Sequence, residues 1–405
     1  MKKKITVINE FPIYPPKHGG QFRIYNQYKY LSKHFIINYL CFDGDIKSIS
    51  KNQLAEDFFE IRVPKNIIHK YIDKISPHII LYFYDKFISL NDINAMLLAK
   101  YNSLFIKTLS DLIEESDIVV ANHCYLYSLI QKYKNKPKIY ESLNNEALLK
   151  ESCLNYKLTR PFVKMVRKVE EEASKDCDYL FATSQTDKEI FEKEYGIKDK
   201  IFIIPNGVDT NSIKPVDSLE KKKLKQKLGL DQKEIVLFVG SGHPPNVEAA
   251  NFIINNIAPE LPDKSFLIMG NVCWLLNKNS IPSNITLLFE VNEEKKLHVL
   301  NATDIAINPI SSGSGTNIKM LDYFAAGIPT ISTPVGVRGL NCIDKEHVVV
   351  SELNSFTESV KEIFRNEEYS QFLSQNCRNF VENNFSCDRL SLDINKYLNQ
   401  ILERN

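Results

Sequence analysis

At 405 residues, 43% hydrophobic and 25% charged, the chain is globular and too long for one ordinary core, which suggests two domains of roughly 200 residues each. Its 51 basic and 50 acidic residues leave a net charge of +1, so no global field points to nucleic acid as a partner. Eight cysteines (41, 124, 153, 177, 273, 342, 377 and 387) form no C-x-x-C pair, which favours reduced thiols in a cytoplasmic compartment over a disulfide framework.

The amino-terminal Met1-Lys2-Lys3-Lys4 and the apolar Ile5–Ile8 imitate a signal peptide, but Asn9, Glu10 and Pro12 cut the run short of a secretory segment. A first β-strand is expected there instead. Short apolar runs then alternate with longer helical stretches. The strand candidates are Ile5–Ile8, Ile36–Phe42, Ile79–Phe83, Ile118–Ala121, Lys138–Tyr140, Tyr179–Ala182 and Ile201–Ile204, with helices such as Gln21–Lys33 and Phe162–Lys175 between them. After a Pro- and Lys-rich stretch at 205–231 the rhythm restarts with Ile235–Val239, Phe266–Met269, Ile285–Leu288, Ile305–Asn308, Pro329–Ser332 and His347–Val350. Such short runs, bounded by Gly, Pro or Asn, are the pattern of parallel strands buried on both faces and joined by right-handed crossovers. The expected fold class is α/β, with domains at 1–205 and 206–368 and with helices over 369–405 crossing back to brace the first domain. No stretch reaches the ~18 uninterrupted apolar residues of a membrane span, so membrane contact would be peripheral. The basic run Lys221–Lys227 reads either as a lipid-facing patch or, preferably, as the start of a solvated helix.

The most informative passage runs from Ile305 to Pro329. A strand ends at Pro309, a loop of small residues follows, and a helix is expected from Thr316 to a left-handed stop at Gly327. Gly313 and Gly315 let bare backbone approach a ligand, and the new helix offers free N–H groups and roughly half a positive charge, which suits an anion. An ordinary strand-to-helix turn is the competing reading. The spacing is neither a dinucleotide fingerprint nor a P-loop, because Ile318 stands where a third glycine is needed and no Gly-Lys-Ser/Thr follows.

This passage, with Thr333-Pro334-Val335-Gly336-Val337-Arg338-Gly339-Leu340, resembles the donor-binding region of family-4 (group 1) glycosyltransferases of the GT-B fold. Pro205-Asn206-Gly207-Val208-Asp209 and Ile235–Gly240 resemble the interdomain motif and the first strand of the second domain in that family. The resemblance implies two Rossmann-like domains facing across a cleft. It implies transfer of a hexose-type sugar from a nucleotide diphosphate donor, a UDP-sugar foremost, to a glycan or lipid-linked acceptor at the inner membrane face. Retention of configuration, no cofactor and no metal are expected. A sugar-nucleotide epimerase or phosphorylase of the same architecture, or a non-catalytic sugar-nucleotide-binding partner of a synthase complex, are the alternatives.

The resemblance also assigns residues. Gly313, Ser314, Gly315, Thr316 and Asn317 would grip sugar and phosphate, and Asp322, where family members carry a glutamate, would hold the ribose hydroxyls. Ser314 replaces a second family glutamate. Ser241 and Asn246 replace the family's arginine and lysine at the diphosphate, which leaves Lys319, and next Arg338, as the substitute cations. Asn246 reads alternatively as a helix cap. Val291 would clasp the base through its backbone. In the first domain Gly19 and Gly20 resemble a donor-side loop, with Arg23 expected on the acceptor side. His123 matches a histidine facing the donor sugar, and Glu141, Asn145 and Glu146 lie in a loop expected near the acceptor.

Overall fold

The computed structural model describes residues 2–16, 19–84, 88–154, 156–230, 233–313 and 315–404. The chain divides into two compact units, Met1–Pro205 with Leu390–Asn405, and Asn206–Arg389.

The first unit contains β1 (Lys4–Asn9), α1 (Gly19–Leu31), β2 (Ile36–Asp43), β3 (Ser50–Ala55), β4 (Phe58–Pro64), α2 (Ile67–Tyr84), α3 (Asn91–Leu98) and α4 (Ser103–Glu115). It continues with β5 (Ile118–Asn122), β6 (Lys138–Glu141), α5 (Glu146–Cys153), α6 (Arg160–Asp176), β7 (Tyr179–Ala182), α7 (Gln185–Tyr195) and β8 (Ile201–Ile203). Its sheet has the order β3-β4-β2-β1-β5-β6-β7-β8 and is parallel except for β3, which runs antiparallel to β4. Both faces are covered: Ile5, Val7 and Ile118 pack on one side, Ile8, Val119 and Ala121 on the other. That double burial is why these strands read as continuous apolar runs.

The second unit contains α8 (Ser218–Lys227), β9 (Ile235–Val239), α9 (Pro244–Phe252), β10 (Ser265–Met269), β11 (Ile285–Leu288), α10 (Glu293–Ala302), β12 (Ile305–Asn308), α11 (Ile318–Ala325), β13 (Thr330–Ser332), β14 (Val349–Val350), α12 (Phe356–Arg365) and α13 (Glu367–Phe385). Its six strands are ordered β11-β10-β9-β12-β13-β14 and all run parallel. Val236, Phe238 and Ile268 face one core, Ile235, Leu237 and Leu267 the other.

Two expectations need correcting. The run Ile79–Phe83 is helical, the last turns of α2, and the strands that fill that part of the sheet are β3 and β4. His69, Pro77 and Ile80 make the buried stripe of α2, spaced for a helix, so the aliphatic and aromatic composition of the run misled. The segment 369–405 does not leave the second unit as a whole: Leu373, Cys377, Val381 and Phe385 anchor α13 in that unit's cores. α14 (Cys387–Arg404) joins the first unit from Leu390 on, through Ile394, Leu398 and Ile401. The basic run lies, as preferred, on a solvated helix, α8, of which Leu224 is the buried residue; Lys221 and Lys225 pair with Asp304 at 2.9 and 2.6 Å and Lys223 with Glu220 at 3.6 Å.

Each sheet reverses its strand order once. In the first unit the reversal falls between β1 and β5, and in the second between β9 and β12. Parallel sheets bind ligands in the crevice outside the carboxyl ends of the strands at such a point. The residues that emerge there are Glu10 and His123 in one unit, Gly240 and the loop after Asn308 in the other.

Candidate functional site

In the second unit, β12 delivers the chain at Asn308 into a loop that ends at Asn317, the N-cap of α11. The loop needs its glycines, because Gly313 and Gly315 have φ of 107° and 73°, conformations that other residues rarely adopt. It is braced from two sides. Arg338 donates from Nη2 to the Gly315 carbonyl at 3.0 Å, and Asn317 donates from Nδ2 to the Gly336 carbonyl at 3.1 Å. A Cβ on Gly313 would stand 3.3 Å from Pro245, so the start of α9 lies directly against the loop. Thr316 is half-buried, and Ser314 lies outside the described residues.

Gly336 is the tightest point of this bracing. A Cβ there would lie 2.1 Å from Ser332 Oγ, 2.5 Å from Asn308 Nδ2 and 3.0 Å from the Asn308 carbonyl. Neither the β12 backbone nor two buried polar groups can yield cheaply. Gly336→Ala is therefore expected to destabilise the second unit by about 1–3 kcal/mol, read as a lower midpoint in urea unfolding.

The expected diphosphate residues meet one another. Lys319, in the first turn of α11, donates to Asn246 Oδ1 at 2.6 Å, and Asn246 Nδ2 donates to Ser241 Oγ at 2.9 Å. Asn246 is thus not the cap of α9, a position taken by His243. The Lys319 ammonium lies 4.3 Å from the centre of the Phe238 ring and makes no ion pair among the described residues. Its side chain is half-buried, yet burial alone pulls it from an ordinary lysine value to about 7. Asp322, one turn on, is paired with Lys296 of α10 at 2.9 Å, a partner the sequence did not suggest. Val291 is half-buried beside a separate cavity of about 460 Å³ that Glu290, Asn292 and His298 also line. A larger cavity of about 650 Å³, lined by Lys221, Asp304 and Arg378, sits where β9, β12 and β13 begin, away from the carboxyl ends where ligands bind.

In the first unit, His123 follows β5 with a φ of 67°, a costly conformation for a residue with a side chain. Two contacts impose it. Its N–H donates to the Glu141 carbonyl at 3.0 Å, and its Nδ1 meets Glu146 Oε1 at 3.0 Å. Glu146 also accepts from the Tyr125 hydroxyl at 2.7 Å. His123 Nε2, Glu10 Oε2 and Asn145 Nδ2 are buried polar atoms without hydrogen-bond partners among the described residues. Burial would lower the His123 pKa, but the carboxylates of Glu10 and Glu146 outweigh it and raise it to about 9. Burial pushes Glu10 up to about 7, with His123 opposing. Glu146, by contrast, is drawn below its usual range because His123 and two hydrogen bonds outweigh its burial. The Glu146 carboxylate thus favours the imidazolium form of His123, while burial favours the protonated form of Glu10. Glu10 carried no motif; the only sequence signal was a carboxyl directly after the first apolar strand.

Three other first-unit expectations change, and Asn145 gains a structural role beside its expected one. Glu141 accepts from Gln27, Tyr28 and Asn122 at 2.5, 2.5 and 2.8 Å, which saturates it as a buried brace rather than an acceptor contact. Arg23 is buried and donates to the Ile204 carbonyl at 2.8 Å, so it points into the unit. Gly19 and Gly20 open helix α1 rather than lying in a loop. Asn145 caps α5 by accepting from the Leu148 N–H at 2.9 Å.

Comparison with known proteins follows the same division. Residues 233–366 match the model described as glycosyl transferases group 1, and residues 92–212 match that of glycosyltransferase family 4. An uncharacterized glycosyltransferase of Methanocaldococcus jannaschii is 24% identical over 63% of this chain and 66% of its own length, just under two thirds. The teichoic acid glycerol-phosphate primase of Bacillus subtilis is 25% identical over 73% of this chain and 81% of its own. Among solved structures, sucrose-phosphate synthase of Thermosynechococcus elongatus superimposes with a TM-score of 0.75 at 13% identity, each chain covered in full. The Anabaena protein HepE, in complex with UDP and glucose, gives 0.70 at 12% identity over 98% of this chain and 99% of that one. With both family models matched in order on two parallel-sheet α/β units, the chain is a group 1 glycosyltransferase of the GT-B fold, resembling family 4.

Proposed function

We propose that this glycosyltransferase moves a hexose-type sugar from a nucleoside diphosphate, UDP foremost, to a glycan or lipid-linked acceptor. The observation that carries the reading is Lys319, a half-buried ammonium with its pKa drawn down to about 7, hydrogen-bonded to Asn246 at the switch point of the second sheet. A cation held there without a carboxylate gains most from an anionic ligand. The diphosphate would accept from the free amides at the start of α11, with Gly313, Gly315, Thr316 and Asn317 supplying backbone and hydroxyl contacts. Asp322, fixed by Lys296, would accept from the ribose hydroxyls. The UDP held by the Anabaena relative supports the choice of nucleotide.

In this reading the bond between the anomeric carbon and the diphosphate oxygen breaks through an oxocarbenium-like state. Lys319 and Arg338 meet the charge that develops on the departing diphosphate, so no metal is needed. The acceptor oxygen bonds to the anomeric carbon, and its proton passes to the leaving diphosphate, which favours retention of configuration. His123, kept as an imidazolium by Glu146, would donate from Nε2 to a sugar hydroxyl, with Asn145 beside it on the acceptor side.

A thermal-shift panel of UDP-, GDP- and ADP-sugars tests the donor. One nucleotide is expected to stabilise the chain by about 2.7 kcal/mol at a hundredfold excess over its Kd. Donor incubated alone should stay unchanged, with UDP released only when acceptor is added. An isomerised donor would show an epimerase instead, and binding without turnover on any acceptor would show a non-catalytic partner.

A further inference from the structure

The length and composition of α2 are unusual for its position. Eighteen residues rich in isoleucine and aromatics would ordinarily be buried on every side. Here only His69, Pro77 and Ile80 are buried, while Ile67, Tyr71 and Tyr82 are 86%, 65% and 84% exposed, and Ile68, Ile79 and Phe83 are exposed as well. At about 100° per residue, Ile67, Ile68, Tyr71, Ile75, Ile79 and Tyr82 form a seam on the side opposite the buried stripe. A run of ~18 helical residues is about 27 Å long, so this is an extended apolar face and not a scattering of single side chains.

The charge along that face has one sign. Lys70 and Lys74 flank the seam and are exposed, whereas Asp73, the only acid in α2, is taken by Lys65 at 2.5 Å and Asn94 at 2.9 Å. The apolar surface continues at both ends. Exposed Tyr101 adjoins the start of α2, its carbonyl accepting from Asn66, and Lys100 lies over its ring. Exposed Leu158, between exposed Lys157 and Arg160, donates its amide to the Tyr84 hydroxyl at the other end. Aliphatic residues for the acyl boundary, tyrosines for the headgroup level and lysines at the margin make up an interfacial helix.

We infer that the outer face of α2 lies in the interface of an anionic bilayer and holds the first unit at a lipid surface. No helix among the described residues is long and apolar enough to cross a membrane, so the attachment is peripheral. A second copy fits this face less well, since a twofold pairing would set the cationic margins of both copies in one seam without acids to match them. The inference stands on α2 alone and does not depend on the proposed donor or acceptor.

The test is sedimentation of the intact chain with phosphatidylcholine vesicles, with and without phosphatidylglycerol, at low and high salt. Binding is expected only with the anionic lipid and weakened by salt. Tyr71→Ser with Tyr82→Ser should reduce partitioning by about tenfold or more, and Lys70→Gln with Lys74→Gln by on the order of thirtyfold at low salt. All four side chains are outside the core, so melting temperatures should match the parent and lost binding cannot be ascribed to unfolding. No partitioning into anionic vesicles, or partitioning untouched by both double variants, overturns the inference. So does a dimer in light scattering that the tyrosine pair abolishes while vesicles go unbound, since a second copy would then cover the face.

Discussion

Lys319→Met should lower kcat on the order of a hundredfold to a thousandfold, the usual cost of removing one charge-stabilising donor from a developing anion. It should also weaken UDP binding, measured by calorimetry, because the same ammonium meets the diphosphate before and after bond cleavage. The pH dependence gives a sharper signature. In the free chain burial lowers Lys319 to about 7, and a bound diphosphate would raise it again. Below about 7 the lysine is charged with or without ligand. Above that value, binding must take up a proton, so UDP affinity should fall as pH rises from about 7, by up to tenfold per unit. The methionine variant should show no such slope. Parallel profiles for parent and variant would sink the assignment of Lys319 to the diphosphate.

His123→Gln is expected to have the second-largest effect, and on two observables. Turnover should fall by about tenfold to a hundredfold, the range for losing one charged hydrogen bond of about 1.5–3 kcal/mol. Stability should fall too, because Glu146 would keep its buried site without its cation. Breaking a buried pair in this way costs about 3–5 kcal/mol, offset here in part by the Tyr125 hydroxyl that still serves the carboxylate. The sign of the pH effect follows from the shift. The folded pKa of about 9 exceeds the ordinary 6.5, so the folded chain holds more protons between those values. The stabilisation His123 provides is complete below about pH 6.5 and is lost as pH rises through about 9. Lys319 contributes a slope of the opposite sign, since its folded pKa is lowered, so the quantity to measure is the difference in melting temperature between parent and His123→Gln. That difference should shrink steadily from pH 6.5 to 9. A constant difference would mean that His123 is neutral in the fold.

Much of the architecture was legible because both sheets are buried on both sides, which forces strands such as Ile118–Asn122 and Ile235–Val239 to be continuously apolar. The strands least like that pattern were missed. β3 pairs only with β4 at the sheet edge, and its Ser50-Lys51-Asn52-Gln53 carries no apolar signature. Their place was assigned to Ile79–Phe83, where composition suggested a strand but the burial period is that of a helix. The donor-side loop was readable for a different reason: backbone-led anion sites need Gly313 and Gly315 at positive φ and a helix starting just after, a local requirement written in consecutive residues.

By itself, then, the sequence determined the two α/β units, the boundary near Pro205, the glycine loop and the residue types gathered around it, because each follows from short-range patterning. Only the tertiary structure decided which polar groups are occupied and which are left to act. Glu141 and Arg23 looked available and are spent on internal hydrogen bonds, whereas Lys319 and His123 are set apart by partners that lie far away in sequence. Glu10 gained its unusual ionisation only when β1 and β5 were laid side by side. Burial and charge proximity depend on packing across the sheet, and one-dimensional spacing does not encode them.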